Sequence, residues 1–574
     1  MVQSVRGPAP CALLAPAPHG TLTIFQLSTP SVRARAPRCR APGKDGDDAA
    51  YAPCRRGGAR LVPSRIEAAA WINEGGWGMR RTTWGGLGAV VLGLGACSET
   101  VVDPSGGGAG ADSPATGGGG AAAPATGGGG HGGGAELAVG QCDPPVEARP
   151  FDKGILTLDL YSVAFDRSAS LGMTGIAQTR VDLGGGELQP GGGMDVVVAK
   201  FDAAGNHVFS KVFGNRSDQR GDSIAFDSRC NMILGGTFAG AMDLGGATLS
   251  GSRSLFVTKL DGAGNHVWSK RLGGASALDP LFLYIAVDPT TDDVVLAGDF
   301  KGTIDFGGAS LTNTSDGRRP AFVARLNAAG QHLWSKQFVG TISVRGLGVD
   351  ASGDVIVAGE HGGSVDFGEG PLGPDDRLAH GLFLVRLDAA GNHRWSKRWE
   401  ATKTGTNIKG MAIDASGAAL IAGSTECGID LGGGLLETVE CRRSAYVAKF
   451  DVEGAHELSR LLGSSKLSGA ESLGVDPSGS AFIAGMFGGT MDLDGELLTA
   501  DAEDGAGFVA QLSQDGSVSR SKMIVGQLDQ LHRLAVDPEG DVAVLGRAWE
   551  SVELESGPQL GRGDFVTKFD IAAP

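Results

Sequence analysis

The sequence predicts an all-β fold, a seven-bladed β-propeller with four-stranded blades, over residues 150–574. A unit of about 62 residues recurs seven times in this region. Each unit holds about four short β-favouring runs separated by Asp/Gly turns, and none shows a long helical periodicity. Seven units of four strands are the pattern of a β-propeller.

Recurring landmarks set the register of the units. An apolar residue followed by Asp marks the first turn, at Asp166, Asp227, Asp288, Asp350, Asp414, Asp476 and Asp537. A glycine closes the next aliphatic run, at Gly175, Gly236, Gly298, Gly359, Gly423, Gly485 and Gly546. A motif like "DFGG" and one like "FVAKLD" follow in order. Successive glycines lie 61 to 64 residues apart, so the units are copies of one element.

These units resemble the bacterial seven-bladed β-propeller repeat family, often called SBBP. The resemblance covers residues 150–574 and implies a propeller fold. It leaves the function open, because propeller blades carry many unrelated functions.

The ends of the repeat region predict a closed ring. The last unit stops at "FVTKFDIAAP" without a fourth strand, and "PFDKGILTLDL" precedes the first unit. We therefore expect an N-terminal strand around Ile155–Leu158 to complete the last blade, which would remove two exposed sheet edges.

A segment that resembles a signal peptide lies inside the chain rather than at its first residue. Residues 79–96 combine a basic head with a short apolar run, the pattern of a signal peptide. The run ends in "LGAC", which resembles a bacterial lipobox. That resemblance implies that Cys97 is lipidated and becomes the first residue. Translation is then expected to begin at Met79, with residues 1–78 as a non-native extension.

Residues 97–149 contain Gly/Ala/Pro-rich low-complexity sequence that cannot bury a core, so a flexible linker is expected. The predicted location is the cell envelope, outside the cytoplasm, on the outer membrane or the cell surface. Residues 97–574 contain 37 Lys+Arg and 60 Asp+Glu. An acidic body does not attract nucleic acid, and membrane contact is expected only through the lipid anchor. A monomer is expected.

The repeated histidines and tryptophans are interpreted as scaffolding. Five histidines occupy one repeat position on separate blades: His207, His266, His332, His393 and His456. One zinc ion needs its nitrogen ligands at about 2.0–2.1 Å and could not collect them. The Asp-rich turns lack the alternating carboxylates and closing Glu of a calcium loop. No metal and no cofactor is therefore predicted.

Two cysteine pairs are candidates for disulfides in this compartment. Cys427 and Cys441 flank one hairpin, so a local bridge is expected between them. The pairing of Cys142 with Cys230 is left open.

A candidate ligand-binding ring lies five residues before the repeated Asp. Its polar members are Tyr161, Asp222, Arg345, Lys409, Glu471 and His532, and the third unit has Leu283. The position falls where the innermost strands begin, near one mouth of the central channel. The alternative explanation for the variety of side chains at this repeat position is random sequence drift at solvent-exposed positions.

Two function classes remain. The first is a binding scaffold for an envelope protein or a glycan, presented on the variable loops between strands two and three and between units. The second is a lyase or hydrolase acting on a glycan or small molecule at the channel mouth. Catalysis would need a carboxylate pair or a His–carboxylate pair, and Glu471 with His532 is the candidate. No hydrolase, zinc, Rossmann or P-loop motif occurs, so binding is favoured and no catalytic residue is assigned.

Overall fold

The computed structural model describes residue 142 and residues 149–273, 282–313, 317–373, 380–401, 405–500 and 505–571. The predictions for residues 1–78, for the signal peptide 79–96 and for lipidation of Cys97 lie outside these residues, as does most of the linker. No helix in the described part of the chain is long and apolar enough to cross a membrane.

The all-β prediction is confirmed, because the described residues form antiparallel strands with a single short 3-10 helix at Val439–Cys441. Each sequence unit contributes one sheet of successive antiparallel strands, and the sheets are numbered here by unit. Sheet 1 contains Leu158–Phe165, Leu171–Ala177, Asp195–Phe201 and His207–Phe213. Sheet 2 contains Gln219–Phe226, Met232–Met242, Leu249–Leu260 and His266–Leu272. Sheet 3 contains Leu283–Val287, Val294–Asp299, Ala321–Leu326 and the start of His332–Val349, which continues into sheet 4.

The remaining sheets follow the same order. Sheet 4 adds Val355–Asp366, His380–Leu387 and His393–Glu400. Sheet 5 contains Asn407–Ile413, Ala419–Thr425, Ser444–Phe450 and His456–Leu462. Sheet 6 contains Ser468–Val475, Ala481–Phe487, Ala506–Leu512 and Val518–Ile524. Sheet 7 contains Gly526–Val536, Val542–Leu554, Gly563–Phe569 and Phe151–Leu156.

Short strands form hairpins between the second and third strands of the sheets. They are Val181–Asp182 with Glu187–Leu188, Thr303–Ile304 with Leu311–Thr312, Ile429–Asp430 with Leu435–Leu436, and Thr490–Leu493 with Glu496–Thr499. Pro371–Leu372 and Gly557–Leu560 pair with the long second strands of sheets 4 and 7.

The apolar core lies between neighbouring sheets. The second and third strands of sheet 1, Leu171–Ala177 and Asp195–Phe201, are buried along their whole length, which explains their continuous aliphatic runs. One cluster joins sheet 1 to sheet 7 and includes Phe201, Leu545 and Val566. The first and last units of the repeat region therefore share a core.

The N-terminal strand pairs with the last unit, but it lies earlier in the chain than expected. Phe151–Leu156 runs antiparallel to Gly563–Phe569, whereas Leu158 already begins the first strand of sheet 1. Phe151 stands opposite Lys568, as Phe209 stands opposite Lys200 in sheet 1. Phe151 therefore takes the repeat position that a fourth-strand aromatic residue fills in other units.

Candidate functional site

The polar ring position coincides with a β-bulge in the first strand. Leu160 faces Gly175 and Ser162 faces Thr174, so Tyr161 is the additional residue between two pairs. The same one-residue shift leaves Asp222, Arg345, Lys409, Glu471 and His532 at the bulge of their sheets. A bulge turns a side chain out of the normal alternation. Unlike residues are tolerated here because these side chains need not fit between the sheets.

The repeated glycine stands beside each of these bulges. A Cβ atom at Gly236 would collide with the carbonyl oxygen of Arg220, and one at Gly359 with that of Ser343. The close approach of the two backbones leaves no room for a side chain, which explains why this landmark is glycine.

Five of the six predicted polar ring residues line one cavity of about 410 Å³: Tyr161, Arg345, Lys409, Glu471 and His532. We call this cavity, together with its further lining residues Phe282, Tyr284, Gln530, Arg533, Arg547 and Asp159, the bulge mouth. Its size is within the range of about 300–1,000 Å³ that small-molecule sites occupy.

Asp222 differs from the other ring residues because it lies below the surface of the cavity. It pairs with Arg220, and it accepts a hydrogen bond from the backbone N–H of Leu283 at 3.2 Å. Burial raises the pKa of Asp222 to about 6, against the opposing effect of Arg220. The Arg220 guanidinium covers the ring of Phe282 at 4.7 Å, so this pair supports an aromatic wall of the mouth.

Most charges in the bulge mouth are matched by an opposite charge. Glu471 contacts two cations, the ammonium of Lys409 with Nζ at 3.3 Å and the guanidinium of Arg443 with Nη2 at 3.7 Å. Arg345 forms a two-pronged pair with Glu360, with both N–O distances at 3.2 Å. Arg547 likewise binds Asp564 and Asp159.

His532 is held neutral near pH 7. Burial, together with the positive charges of Arg547, Arg533 and Lys409, lowers its pKa to about 4. Its Nδ1 lies 2.8 Å from Gln530 Nε2, while its buried Nε2 has no hydrogen-bond partner among the described residues. Within the same part of the chain, no hydrogen bond or ion pair joins His532 to Glu471, the pair expected for catalysis.

Two lining residues that the sequence interpretation missed are Tyr284 and Arg533. Arg533 follows the bulge of sheet 7, and Tyr284 has the matching register position in sheet 3, whose described first strand has no bulge. The residue at this position is small elsewhere, as Ser162, Ser223, Gly346, Gly410 and Ser472. The serine hydroxyls there accept hydrogen bonds from the next sheet, as Ser472 does from Leu534 N–H at 2.9 Å. Tyr284 and Arg533 are too large for that role and line the cavity instead. An alignment of the units at this position would have revealed them.

The opposite ends of the first strands form a second cavity of about 570 Å³, lined by the repeated apolar–Asp pairs of all units. We call it the Asp-turn mouth. Asp166 shows the pattern: its Oδ1 accepts hydrogen bonds from Ser168 N–H at 2.8 Å and Ser170 N–H at 3.0 Å.

The same aspartates bind the basic residue of the "FVAKLD" landmark, a pairing that sequence reasoning did not find. The pairs are Asp166–Lys200, Asp227–Lys259, Asp288–Arg325, Asp350–Arg386, Asp414–Lys449 and Asp537–Lys568. Unit 6 has Gln511 at the basic position, opposite Asp476 in the repeat. The two landmarks thus form one ion pair per unit in six units, buried in five of them and partly exposed at Lys449.

The repeated histidine and tryptophan have local packing roles. His207 contacts Ser210 Oγ at 2.9 Å and packs on Gly185 of its own unit. Trp268 Nε1 donates to the carbonyl oxygen of Ala328 in the next unit at 3.1 Å. The described residues contain no group of three His, Cys, Asp or Glu residues placed to hold a metal ion.

Both candidate cysteine pairs are bonded in the structure. Cys427–Cys441 closes the hairpin between the second and third strands of sheet 5. Cys142–Cys230 ties the segment before the first strand to the first turn of unit 2. The two bridges lie at opposite ends of the sheets, since Cys230 follows Asp227 in the Asp-turn.

No protein-family model matches the chain, and no curated protein matches it. Solved structures that resemble it are β-propeller proteins at low identity. A puromycin hydrolase shares 11% identity over 75% of this chain and 58% of its own, with a TM-score of 0.38. YCF48 bound to D1 peptide shares 11% identity over 76% of this chain and 99% of its own, with a TM-score of 0.35. Sqt1 from Chaetomium thermophilum shares 12% identity over 74% of this chain and 100% of its own, with a TM-score of 0.34.

Proposed function

We propose that residues 150–574 form a closed seven-bladed propeller of the SBBP repeat type. Three features support closure: the pairing of Phe151–Leu156 with the last unit, the core shared by sheets 1 and 7, and the Asp-turn mouth, whose lining comes from every unit. The N-terminal strand would supply the missing fourth strand of the last blade.

We further propose that the propeller is an envelope lipoprotein. The signal-like segment 79–96 and the "LGAC" sequence support lipidation of Cys97, with residues 1–78 upstream of the true start. The linker up to residue 149 would hold the propeller away from the membrane, outside the cytoplasm.

The function that we infer is binding, through the bulge mouth and the variable loops around it. The carrying observation is that the two lining carboxylates of the mouth are committed to cations: Glu471 to Lys409 and Arg443, and Asp159 to Arg547. Such pairs present fixed charges to a ligand but leave neither carboxylate free to exchange a proton with His532. A partner protein or a glycan fits this arrangement better than a substrate of a lyase or hydrolase.

The loops that would meet a partner open on the bulge side of the sheets. They are the connections between strands two and three and those leading from one unit to the next. The Cys427–Cys441 bridge fixes one of them and holds Leu435 and Val439 more than half exposed. Exposed apolar residues on a braced loop suit contact with a protein surface.

Crosslinking mass spectrometry on intact cells tests this function. The wild type is compared with Cys97→Ala, which should lose the lipid anchor. We expect a reproducible partner linked through bulge-side lysines such as Lys301 and Lys466, and loss of that partner in the variant. Crosslinks confined to the outer strands, equal in both proteins, would contradict the proposal.

A further inference from the structure

We propose that the bulge mouth binds a sugar acid, a polyhydroxylated ligand with one carboxylate, through Arg533 and His532. This inference rests on the binding function above and names the ligand class of the same site. It starts from the two lining groups that the fold leaves unsatisfied.

Arg533 is the cation of the mouth that has no acidic partner among the described residues. Its only hydrogen bond among the described residues goes to the carbonyl oxygen of His532, at 3.0 Å, and no acidic side chain in that part of the chain forms an ion pair with it. The other lining cations have acidic partners, as shown for Arg345, Lys409 and Arg547. Arg533 is therefore the one lining cation that no acidic side chain of the described residues contacts, and its guanidinium is available to an anionic ligand.

His532, the residue before Arg533, has a ring nitrogen without a partner among the described residues. Because Gln530 Nε2 donates to Nδ1, the proton of the neutral imidazole sits on Nε2, which is buried and unpartnered. A buried donor without a partner is costly unless a ligand satisfies it. Arg533 and His532 are successive residues that line the same cavity, and a guanidinium with an N–H donor provides partners for the two acceptor oxygens of a carboxylate.

The lining also contains uncharged polar groups that suit hydroxyls. Tyr161, Tyr284 and Gln530 offer phenol and amide groups, and Phe282 offers an aromatic ring. A sugar ring bearing a carboxylate combines both needs. A carboxylate on a protein side chain would satisfy only the Arg533–His532 corner.

Calorimetric titration of the purified full chain with D-galacturonate tests the inference, with D-galactose as the neutral analogue and an acidic peptide as the alternative carboxylate. We expect galacturonate to bind at least about tenfold more tightly than galactose, the size of one charge-assisted hydrogen bond. Arg533→Gln should remove that preference, and His532→Ala should weaken galacturonate by about tenfold. Arg520→Gln removes an exposed arginine on the fourth strand of sheet 6, Val518–Ile524, away from the mouth and its loops, and should change nothing.

A melting temperature equal to that of the wild type shows that a variant is folded. If Arg533→Gln does not fold, His532→Ala still tests the inference. Equal binding of the two sugars, or galacturonate binding that survives Arg533→Gln, would overturn the inference. Binding of the acidic peptide alone would overturn the sugar-acid assignment. If no probe binds but a crosslinked partner is found, the ligand class is wrong while the binding function stands; if neither is found, both fail.

Discussion

The two mouths of the first strands use the same repeat in opposite ways. At the Asp-turn mouth, units repeat one arrangement, an aspartate held by turn amides and paired with a third-strand cation. At the bulge mouth, the equivalent positions carry a tyrosine, a lysine, a glutamate and a histidine among others. The groups repeated at the Asp-turn mouth hold the sheets together. The groups that vary at the bulge mouth are the ones available to contact a ligand.

The largest effect is expected from breaking one Asp-turn pair. Arg386 is 3% exposed and binds both Asp350 and Asp354, and it donates to the carbonyl oxygen of Gly417 in the next unit. Arg386→Met leaves the buried carboxylate of Asp350 without a cation and leaves Asp354 with only the exposed Arg394, at a cost of about 3–5 kcal/mol. Calorimetric melting should show a large drop in Tm without loss of ligand binding in the protein that remains folded.

Unit 6 provides the matched control for that comparison. Gln511→Lys would restore the missing cation beside Asp476 and should keep or slightly raise the Tm. A Tm fall as large as that of Arg386→Met would show that the pairs are not what stabilises this end.

The two disulfides lie at opposite ends of the sheets, and they are expected to stabilise the fold by different amounts. Cys142–Cys230 closes a separation of 88 residues and Cys427–Cys441 one of 14. Loop-closure entropy predicts losses of roughly 4–5 and about 3 kcal/mol for the paired Cys→Ser replacements. Denaturant unfolding of both double variants measures the difference, and an equal or reversed order would contradict it.

A change at the bulge itself should be milder but should affect both structure and site. Gly359→Ala places a methyl group against Ser343 O and the ring of Phe383. Forcing that atom in should cost about 1–3 kcal/mol and shift Arg345. Gly262→Ala, in an open turn with only a carbonyl oxygen 3.9 Å away, is the control and should leave the Tm unchanged. Comparable destabilisation by the two variants would show that the bulge does not require glycine.

The smallest effect is an opposed pair of pH dependences at the bulge mouth. Asp222 has a folded pKa of about 6, above its unfolded value, so its contribution to stability falls as pH rises from about 4 to 6. His532 has a folded pKa of about 4, below its unfolded value, so its contribution falls as pH drops from about 6.5 to 4.

Single variants should uncover the two slopes. Relative to wild type, the Tm of Asp222→Asn should decline towards pH 4, and that of His532→Gln should decline towards pH 6.5. Melting curves across this window measure both. A missing or reversed slope in either variant would mean that the group replaced there is not buried as described.

The repeat made the fold readable from sequence, and the ring residues were readable because they vary while their neighbours do not. The β-bulge at the ring position could not be predicted from the sequence, because it depends on pairing across strands rather than on the residue types at that position. The Asp–cation pairs were hidden because each partner belongs to a different landmark, although Gln511 interrupts one of them. Tyr284 and Arg533 escaped because each is unremarkable alone and unusual only beside the serines and glycines of the other units.

Hydrogen–deuterium exchange on the full chain, with and without galacturonate, tests the division between the two mouths in one measurement. The account predicts slower exchange on binding in peptides covering residues 526–534 and 405–411, and no change at the Asp-turns. Protection confined to the Asp-turn peptides would contradict it, because the ligand would then sit at the end assigned to the scaffold.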